Sequence, residues 1–67
     1  MITLVINGKY QKLNNAVSVA EYLRSLEVDS QHVAVARNGE VVERAHYADI
    51  TLADGDRLEI VRPVGGG

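Results

Sequence analysis

The sequence predicts an α+β domain in which a mixed sheet of four or five strands packs on one main helix. Short β-rich segments separated by Asn-Gly and Asp-Gly turns predict the strands, and one stretch with apolar residues at helical spacing predicts the helix. A chain of 67 residues allows a single domain. Because one helix covers only one face of such a sheet, the other face must meet solvent or a partner.

A β-hairpin is predicted at the start of the chain. Residues 2–6 alternate at period two, which places Ile2, Leu4 and Ile6 on one face. Asn7-Gly8 is the preferred pair for a type I′ turn, because both central residues of that turn need positive φ. We expect an antiparallel return over residues 9–13, with Tyr10 as its anchor.

The helix is predicted to begin after Ser18. Ser18 and Glu21 form an S-x-x-E capping box, and Val17 and Tyr22 occupy the two positions of a hydrophobic staple. The spacing i, i+3, i+4, i+7 defines one apolar stripe, made of Val19, Tyr22, Leu23 and Leu26. The periodicity is lost after Glu27, where we expect the helix to end.

Two further strands are predicted around a second tight turn. Residues 32–36 are apolar at both parities, so either face of this strand could be the buried one. Asn38-Gly39 is a turn signal, and residues 41–42 belong to the strand that follows it. Residues 43–49 are polar and irregular, with room for one short helical turn.

The last strand is predicted at residues 57–62. A short extended piece at residues 50–52 and an Asp54-Gly55-Asp56 turn come before it. Period-two alternation divides its residues, with Leu58 and Ile60 inward and Glu59 and Val61 outward. Pro63 ends the strand, because proline has no N–H for the ladder.

Composition excludes several classes of function. Without cysteine, the chain has no disulfide framework, thiolate nucleophile or cysteine-ligated zinc. Seven basic residues against nine acidic ones, scattered singly, do not form the basic patch of a nucleic-acid interface. No apolar run approaches the ~20 residues of a membrane span, and the N-terminus lacks the features of a signal peptide. We expect a cytoplasmic protein that binds neither nucleic acid nor membrane.

No catalytic or metal-binding constellation is apparent in the sequence. His32 and His46 are the only imidazoles, and neither has a partner at a metal-ligand spacing. The serines lack a nucleophile motif, and the internal glycines stand in separate turns rather than in a phosphate-binding loop. We therefore expect no catalytic residue, no metal, no bound cofactor and no enzymatic activity.

The C-terminal residues Val64-Gly65-Gly66-Gly67 contain half of the six glycines. Terminal glycines cost the most backbone entropy to order, so we divide the chain into a domain at residues 1–62 and a flexible tail at 63–67. The tail is either a frayed end or linker, or the substrate of another protein. Without Cβ atoms it could enter a narrow crevice, and from Arg62 it would reach up to ~17 Å.

Six segments carry a resemblance that covers essentially the whole chain. They are residues 2–8, 18–23, 33–42, 52–56, 59–61 and 64–67. In this order they resemble the ThiS family, the ubiquitin-like β-grasp sulfur carriers for the thiazole moiety of thiamine. The terminal glycine pair alone is weakly specific, and it becomes specific when joined to the Ala53-Asp54-Gly55-Asp56 turn, the last strand and this length. The resemblance implies a β-grasp fold.

The resemblance also implies a carrier cycle. An E1-like adenylyltransferase of the ThiF type would use ATP and magnesium to adenylate the carboxylate of Gly67. Sulfur from cysteine, delivered through a cysteine desulfurase, would replace AMP and form a thiocarboxylate, and a ThiG-type thiazole synthase would consume it. Gly65 and Gly66 would enter the partners' active sites. Arg62-Pro63 stands where relatives often have a hydrophobic pair.

The partner surface is predicted on the uncovered face of the sheet. Val5 and Val61 point away from the core residues of their strands, and Val64 follows beside them. The alternative is that these are scattered surface apolar residues, which are common on proteins.

Two other functions stay open at this point. One is a sulfur carrier for molybdopterin or another thiocarboxylate pathway, although such carriers commonly have additional helical material. The other is a ubiquitin-like modifier or a protein-binding module.

Overall fold

The computed structural model describes residues 1–62, which form a five-stranded sheet with one α-helix on one face. The strands and the helix, in chain order, are β1 (Ile2–Ile6), β2 (Lys9–Leu13), α1 (Val19–Ser25), β3 (Ala34–Arg37), β4 (Glu40–Val42) and β5 (Arg57–Val61). The sheet order is β2-β1-β5-β3-β4. Strands β1 and β5 are parallel and the other neighbours are antiparallel, so the predicted mixed sheet on one helix is confirmed.

The predicted hairpin is confirmed, but Tyr10 is not its core anchor. Asn7 and Gly8 have φ of 50° and 84°, as a type I′ turn requires. The turn pairs Val5 with Tyr10, so Tyr10 lies on the face of Val5 and away from the helix. Its side chain is 79% exposed. The core residue of the hairpin is instead Leu4, which is fully buried, and Ile2 and Ile6 pack against the core on the same face of β1.

The capping box at the start of α1 is confirmed. The Glu21 N–H donates to Ser18 Oγ at 3.1 Å, and the Ser18 N–H donates to Glu21 Oε1 at 2.9 Å. The helix is shorter than its apolar stripe suggested, because Leu26 is already the C-cap residue and is 45% exposed. Glu27 adopts a left-handed φ of 61°, and Val28, which follows it, packs against the core.

Strand β3 begins two residues later than predicted. His32 belongs to a 3₁₀ turn, Ser30–His32, capped by Asp29, whose carboxylate accepts from the Gln31 N–H. The structure also decides which face of β3 is buried, because Val33 and Val35 are 1% and 2% exposed. The Asn38-Gly39 turn is confirmed, with φ of 51° and 87°.

The core includes residues from the irregular segment between β4 and β5. A 3₁₀ turn, Arg44–His46, confirms the short helical turn predicted there. Tyr47 follows it, and this residue was not predicted to be buried: it is 4% exposed, and its hydroxyl donates to the Val33 carbonyl at 3.2 Å. Leu52 is fully buried, and its neighbour Thr51 makes an isolated bridge with Ser18.

Strand β5 shows the predicted alternation and ends one residue earlier, at Val61. Leu58 is buried and Ile60 is half-buried against the core, whereas Glu59 and Val61 are exposed. Within residues 1–62, no helix is long and apolar enough to cross a membrane.

Candidate functional site

The candidate site is the face of the sheet opposite α1, which we call the open face. Strand register determines its members, because residues paired across neighbouring strands project to the same side. The pairs on this side are Val5 with Tyr10 and Arg57, Ala34 with Val61, and Ala36 with Glu59 and Val41.

Large apolar side chains are concentrated on the open face. Five large hydrophobic residues are exposed among residues 1–62, and three of them project from this face. Val41 is 80% exposed, Tyr10 79% and Val61 57%. Val41 stands on the edge strand β4, at the opposite edge of the sheet from Tyr10, and isolated surface hydrophobics need no explanation. Tyr10 and Val61, however, line one groove.

A shallow groove crosses the open face between β1 and β5. Val5, Tyr10 and Val61 supply its apolar lining, and Arg57 and Glu59 place one charge of each sign beside them. Apolar contact surrounded by polar side chains is the usual composition of a protein–protein interface. The groove therefore fits a partner's surface side chains.

The structure brings together two of the residues predicted for the partner surface. Val5 is half-buried, Val61 is exposed, and both line the same groove. Val64, Gly65, Gly66 and Gly67 lie outside the described residues. Tyr10 also lines this groove and was not predicted to do so. A two-residue turn at residues 7–8 already implies that Tyr10 pairs with Val5, so the register of the turn could have placed Tyr10 on the open face.

Neither histidine lies in a polar site that could hold a metal. His32 and His46 are both exposed, and His32 Nδ1 lies 3.1 Å from the exposed Asp29 carboxylate one turn earlier. An exposed pair of this kind contributes little to stability. Among the described residues, no three His, Cys, Asp or Glu side chains are grouped in a way that could ligate a metal ion.

Asp56 is a buried charged residue, with 6% of its surface exposed. Its side chain connects the β3–β4 turn to the turn that precedes β5. Its Oδ2 accepts from Arg37 Nε at 2.9 Å and from the Ala53 N–H at 2.8 Å, while its Oδ1 accepts from Asn38 Nδ2 at 3.1 Å. Burial alone would raise the pKa of Asp56, but these donors and the Arg37 charge outweigh it and hold the pKa below its usual value. The arrangement stabilises the end of the sheet where β5 begins.

We expect Asp56→Asn to lower the free energy of unfolding at pH 7 by roughly 1–3 kcal/mol, because an amide nitrogen would face donors in place of a carboxylate oxygen. In the wild type, the lowered pKa means that this stabilisation is fully present above the ordinary Asp pKa of about 4 and is lost as the pH falls through the folded value. Urea denaturation of both proteins at neutral and acidic pH measures the difference. Asp49→Asn, at an exposed position, is the control. Equal pH dependence of the wild type and Asp56→Asn would contradict the assignment.

Comparisons with known proteins agree with this fold. A model of the ThiS family matches residues 4–67. The chain is 35% identical to the sulfur carrier protein ThiS of Bacillus subtilis over 65 residues, which cover 96% of this chain and 98% of that protein. A crystal structure of the thiamine biosynthesis protein ThiS from Geobacter metallireducens superposes with a TM-score of 0.85 at 36% identity, covering 98% of this chain and 100% of that one.

The chain is also similar to part of a larger protein. It is 47% identical over 64 residues to a thiazole synthase of Paramagnetospirillum magneticum, a match that covers 96% of this chain. The chain spans only 20% of the length of that thiazole synthase.

Proposed function

The chain belongs to the ThiS family of sulfur carriers in thiamine biosynthesis, and we propose from this that Gly67 is the residue that carries the sulfur. Gly65 and Gly66 precede it as the segment that enters the partners' active sites. The chain acts as a co-substrate rather than as an enzyme, and it works in the cytoplasm.

One observation carries the proposal most strongly. The family model extends through residue 67, so the match to sulfur carriers includes all three terminal glycines. The match to the Bacillus subtilis carrier likewise runs along nearly the whole of both chains. Similarity confined to the sheet and helix would have supported the fold alone.

The chemistry of a glycine carboxylate explains why partner enzymes are needed. A carboxylate is a poor electrophile until one of its oxygens becomes part of a good leaving group. In the proposed cycle, the Gly67 carboxylate attacks the α-phosphorus of ATP and releases pyrophosphate, with magnesium held by the partner. A persulfide sulfur then attacks the acyl-adenylate, and AMP leaves with the oxygen. Reduction of the resulting acyl disulfide by a thiol leaves the thiocarboxylate.

Three partners are proposed from this cycle. They are an E1-like adenylyltransferase of the ThiF type, a cysteine desulfurase that supplies the sulfur, and a thiazole synthase of the ThiG type that accepts it. The match to part of a thiazole synthase supports the last of these. It also favours the thiazole pathway over molybdopterin or another thiocarboxylate pathway, and over a ubiquitin-like modifier or binding module.

Intact-mass measurement tests the proposal. The chain is incubated with a ThiF-type adenylyltransferase, ATP, magnesium, a cysteine desulfurase with cysteine, and a thiol reductant. We expect the mass to rise by the difference between sulfur and oxygen, with fragmentation placing the change on Gly67. The reaction without ATP is the control and should leave the mass unchanged. A wild-type chain that never gains the sulfur mass with such enzymes would contradict the proposal.

The open face is the proposed docking surface for the adenylyltransferase, and Val64 is proposed from the sequence as a further contact residue. We expect Val61→Asp to weaken binding about tenfold or more, because the new carboxylate loses hydration inside an apolar contact. Titration calorimetry measures the dissociation constant, and the thermal melt should stay close to that of the wild type. Ala16→Asp adds the same charge at an exposed position outside the open face and should bind normally. Equal affinity of the two variants would place the interface elsewhere.

A further inference from the structure

The side chain of Asn7 makes an unusual long-range contact with strand β5. Asn7 Oδ1 accepts from the Ile60 N–H at 2.8 Å, and Asn7 Nδ2 donates to the Ile60 carbonyl at 3.1 Å. The amide thus satisfies both peptide groups of one residue that lies 53 positions away. The Asn-Gly pair explains the turn by itself, but it does not explain this contact.

The contact continues the β1–β5 ladder beyond the end of β1. The Asn7 N–H donates to the Leu58 carbonyl at 2.9 Å, and after that the backbone of the chain turns away into β2. Alternate residues of a strand direct their N–H and C=O groups to the same neighbouring strand. The N–H and C=O of Ile60 therefore point to the β1 side of β5, as those of Leu58 do. The Asn7 amide occupies the place that the next residue of β1 would have taken.

Ile60 stands next to the end of the sheet. Strand β5 ends at Val61, which pairs with Ala34 of β3 on the opposite side. The last two residues of β5 are therefore held from opposite sides: Ile60 by the Asn7 amide and Val61 by strand β3. Arg62, the last residue that the structure describes, follows these two directly.

We propose that Asn7 is a positioning residue for the sulfur-transfer reaction: by holding Ile60 it fixes the end of β5, from which the chain continues to Gly67. This inference rests on the proposed function, because it concerns the delivery of the Gly67 carboxylate to the adenylyltransferase. Gly67 is only seven residues beyond Ile60. Misplacement of a reacting group by about 1 Å can cost two orders of magnitude in rate, so a loosened strand end has a kinetic consequence.

The second Asn-Gly turn supplies a matched control. Asn38 and Gly39 have nearly the same φ values as Asn7 and Gly8. The Asn38 side chain also bonds β5, but at its beginning, where Oδ1 accepts from the Arg57 N–H at 2.9 Å and Nδ2 donates to Asp56. Each asparagine therefore makes two side-chain hydrogen bonds, and the two residues act at opposite ends of one strand.

The experiment compares Asn7→Gly with Asn38→Gly in the full-length chain. Gly-Gly also suits a type I′ turn, so both hairpins are retained while each variant loses two side-chain hydrogen bonds. Pyrophosphate release by a ThiF-type adenylyltransferase is measured at a temperature where circular dichroism shows both variants folded. We expect kcat/KM for Asn7→Gly to fall about tenfold or more, mainly through kcat, and that for Asn38→Gly to stay within about twofold of the wild type.

Hydrogen exchange provides a readout that needs no partner enzyme. We expect the Ile60 amide to exchange faster in Asn7→Gly than in the wild type, and to exchange normally in Asn38→Gly once global stability is accounted for. Equal kinetic losses in both variants would show a general effect of stability and overturn the inference. Faster exchange at Ile60 with normal adenylation would overturn it as well. Failure of the proposed function is distinguishable, because the wild type itself would then release no pyrophosphate.

Discussion

We expect Leu23→Ala to lower the free energy of unfolding by ~2–5 kcal/mol. Leu23 lies in the middle of α1, is 1% exposed, and belongs to the cluster formed by the helix and the covered face of the sheet. Truncation removes its buried methyl groups and leaves a cavity that the short helix can close only in part. Domains have about 5–15 kcal/mol of stability in total, so the loss is a large fraction for a chain of 67 residues.

Leu26→Ala is the matched control for this prediction. The substitution is chemically identical and lies three residues further on, but Leu26 is 45% exposed at the C-cap. We expect its cost to stay below about 1 kcal/mol, as for most surface substitutions. Urea denaturation measures both variants. Similar costs would mean that Leu26 is buried, as the apolar stripe in the sequence suggested, and that the described end of α1 is wrong.

The parts of the fold that the sequence predicted well depend on local interactions. The Asn-Gly turns require positive φ, and the Ser18–Glu21 capping box bonds residues three positions apart. The alternation in β5 requires only that one face of the strand is buried, and it is observed in the buried Leu58 and the exposed Val61. Each of these signals lies within a few residues, so it could be interpreted without knowledge of the sheet order.

The features that were missed depend on partners distant in the sequence. Tyr47 stands in a polar segment, yet its ring is buried in the core and its hydroxyl donates to the Val33 carbonyl, 14 residues earlier in the chain. Asp56 appeared to be a turn residue, and its burial depends on donors from Arg37 and Asn38 across the sheet. No periodicity within either segment indicates these contacts.

The candidate site divides in the same way. Alternation placed Val5 and Val61 on the open face, and the structure agrees. Placing Tyr10 on the open face required the pairing register as well, because its hydrophobic ring alone suggested that it packs in the core. The Asn7 contact with Ile60 could not be predicted, since it depends on β1 and β5 being parallel neighbours at the centre of the sheet.

We expect removal of one terminal glycine to reduce thiocarboxylate formation by about a hundredfold or more. The shortened chain still ends in Gly-Gly, so the chemical identity of the reacting group is unchanged. Its carboxylate, however, stops ~3.5 Å short of the nucleotide in the adenylyltransferase. A displacement of about 1 Å can already cost two orders of magnitude, because the reacting atoms must lie within about 3–3.5 Å of one another.

A second variant separates reach from the number of terminal glycines. Inserting one glycine between Arg62 and Pro63 of the shortened chain restores the reach while keeping the Gly-Gly terminus, and we expect it to recover much of the rate.

Gly66→Ala keeps the full length and adds one Cβ, which should slow adenylation by obstructing a crevice shaped for backbone, without changing the thermal melt. Intact-mass time courses with the same adenylyltransferase, ATP and sulfur source compare all the variants with the wild type. If the shortened chain is thiocarboxylated at the normal rate, the reaction does not depend on the position of the terminal carboxylate, and the role proposed for Gly67 is wrong.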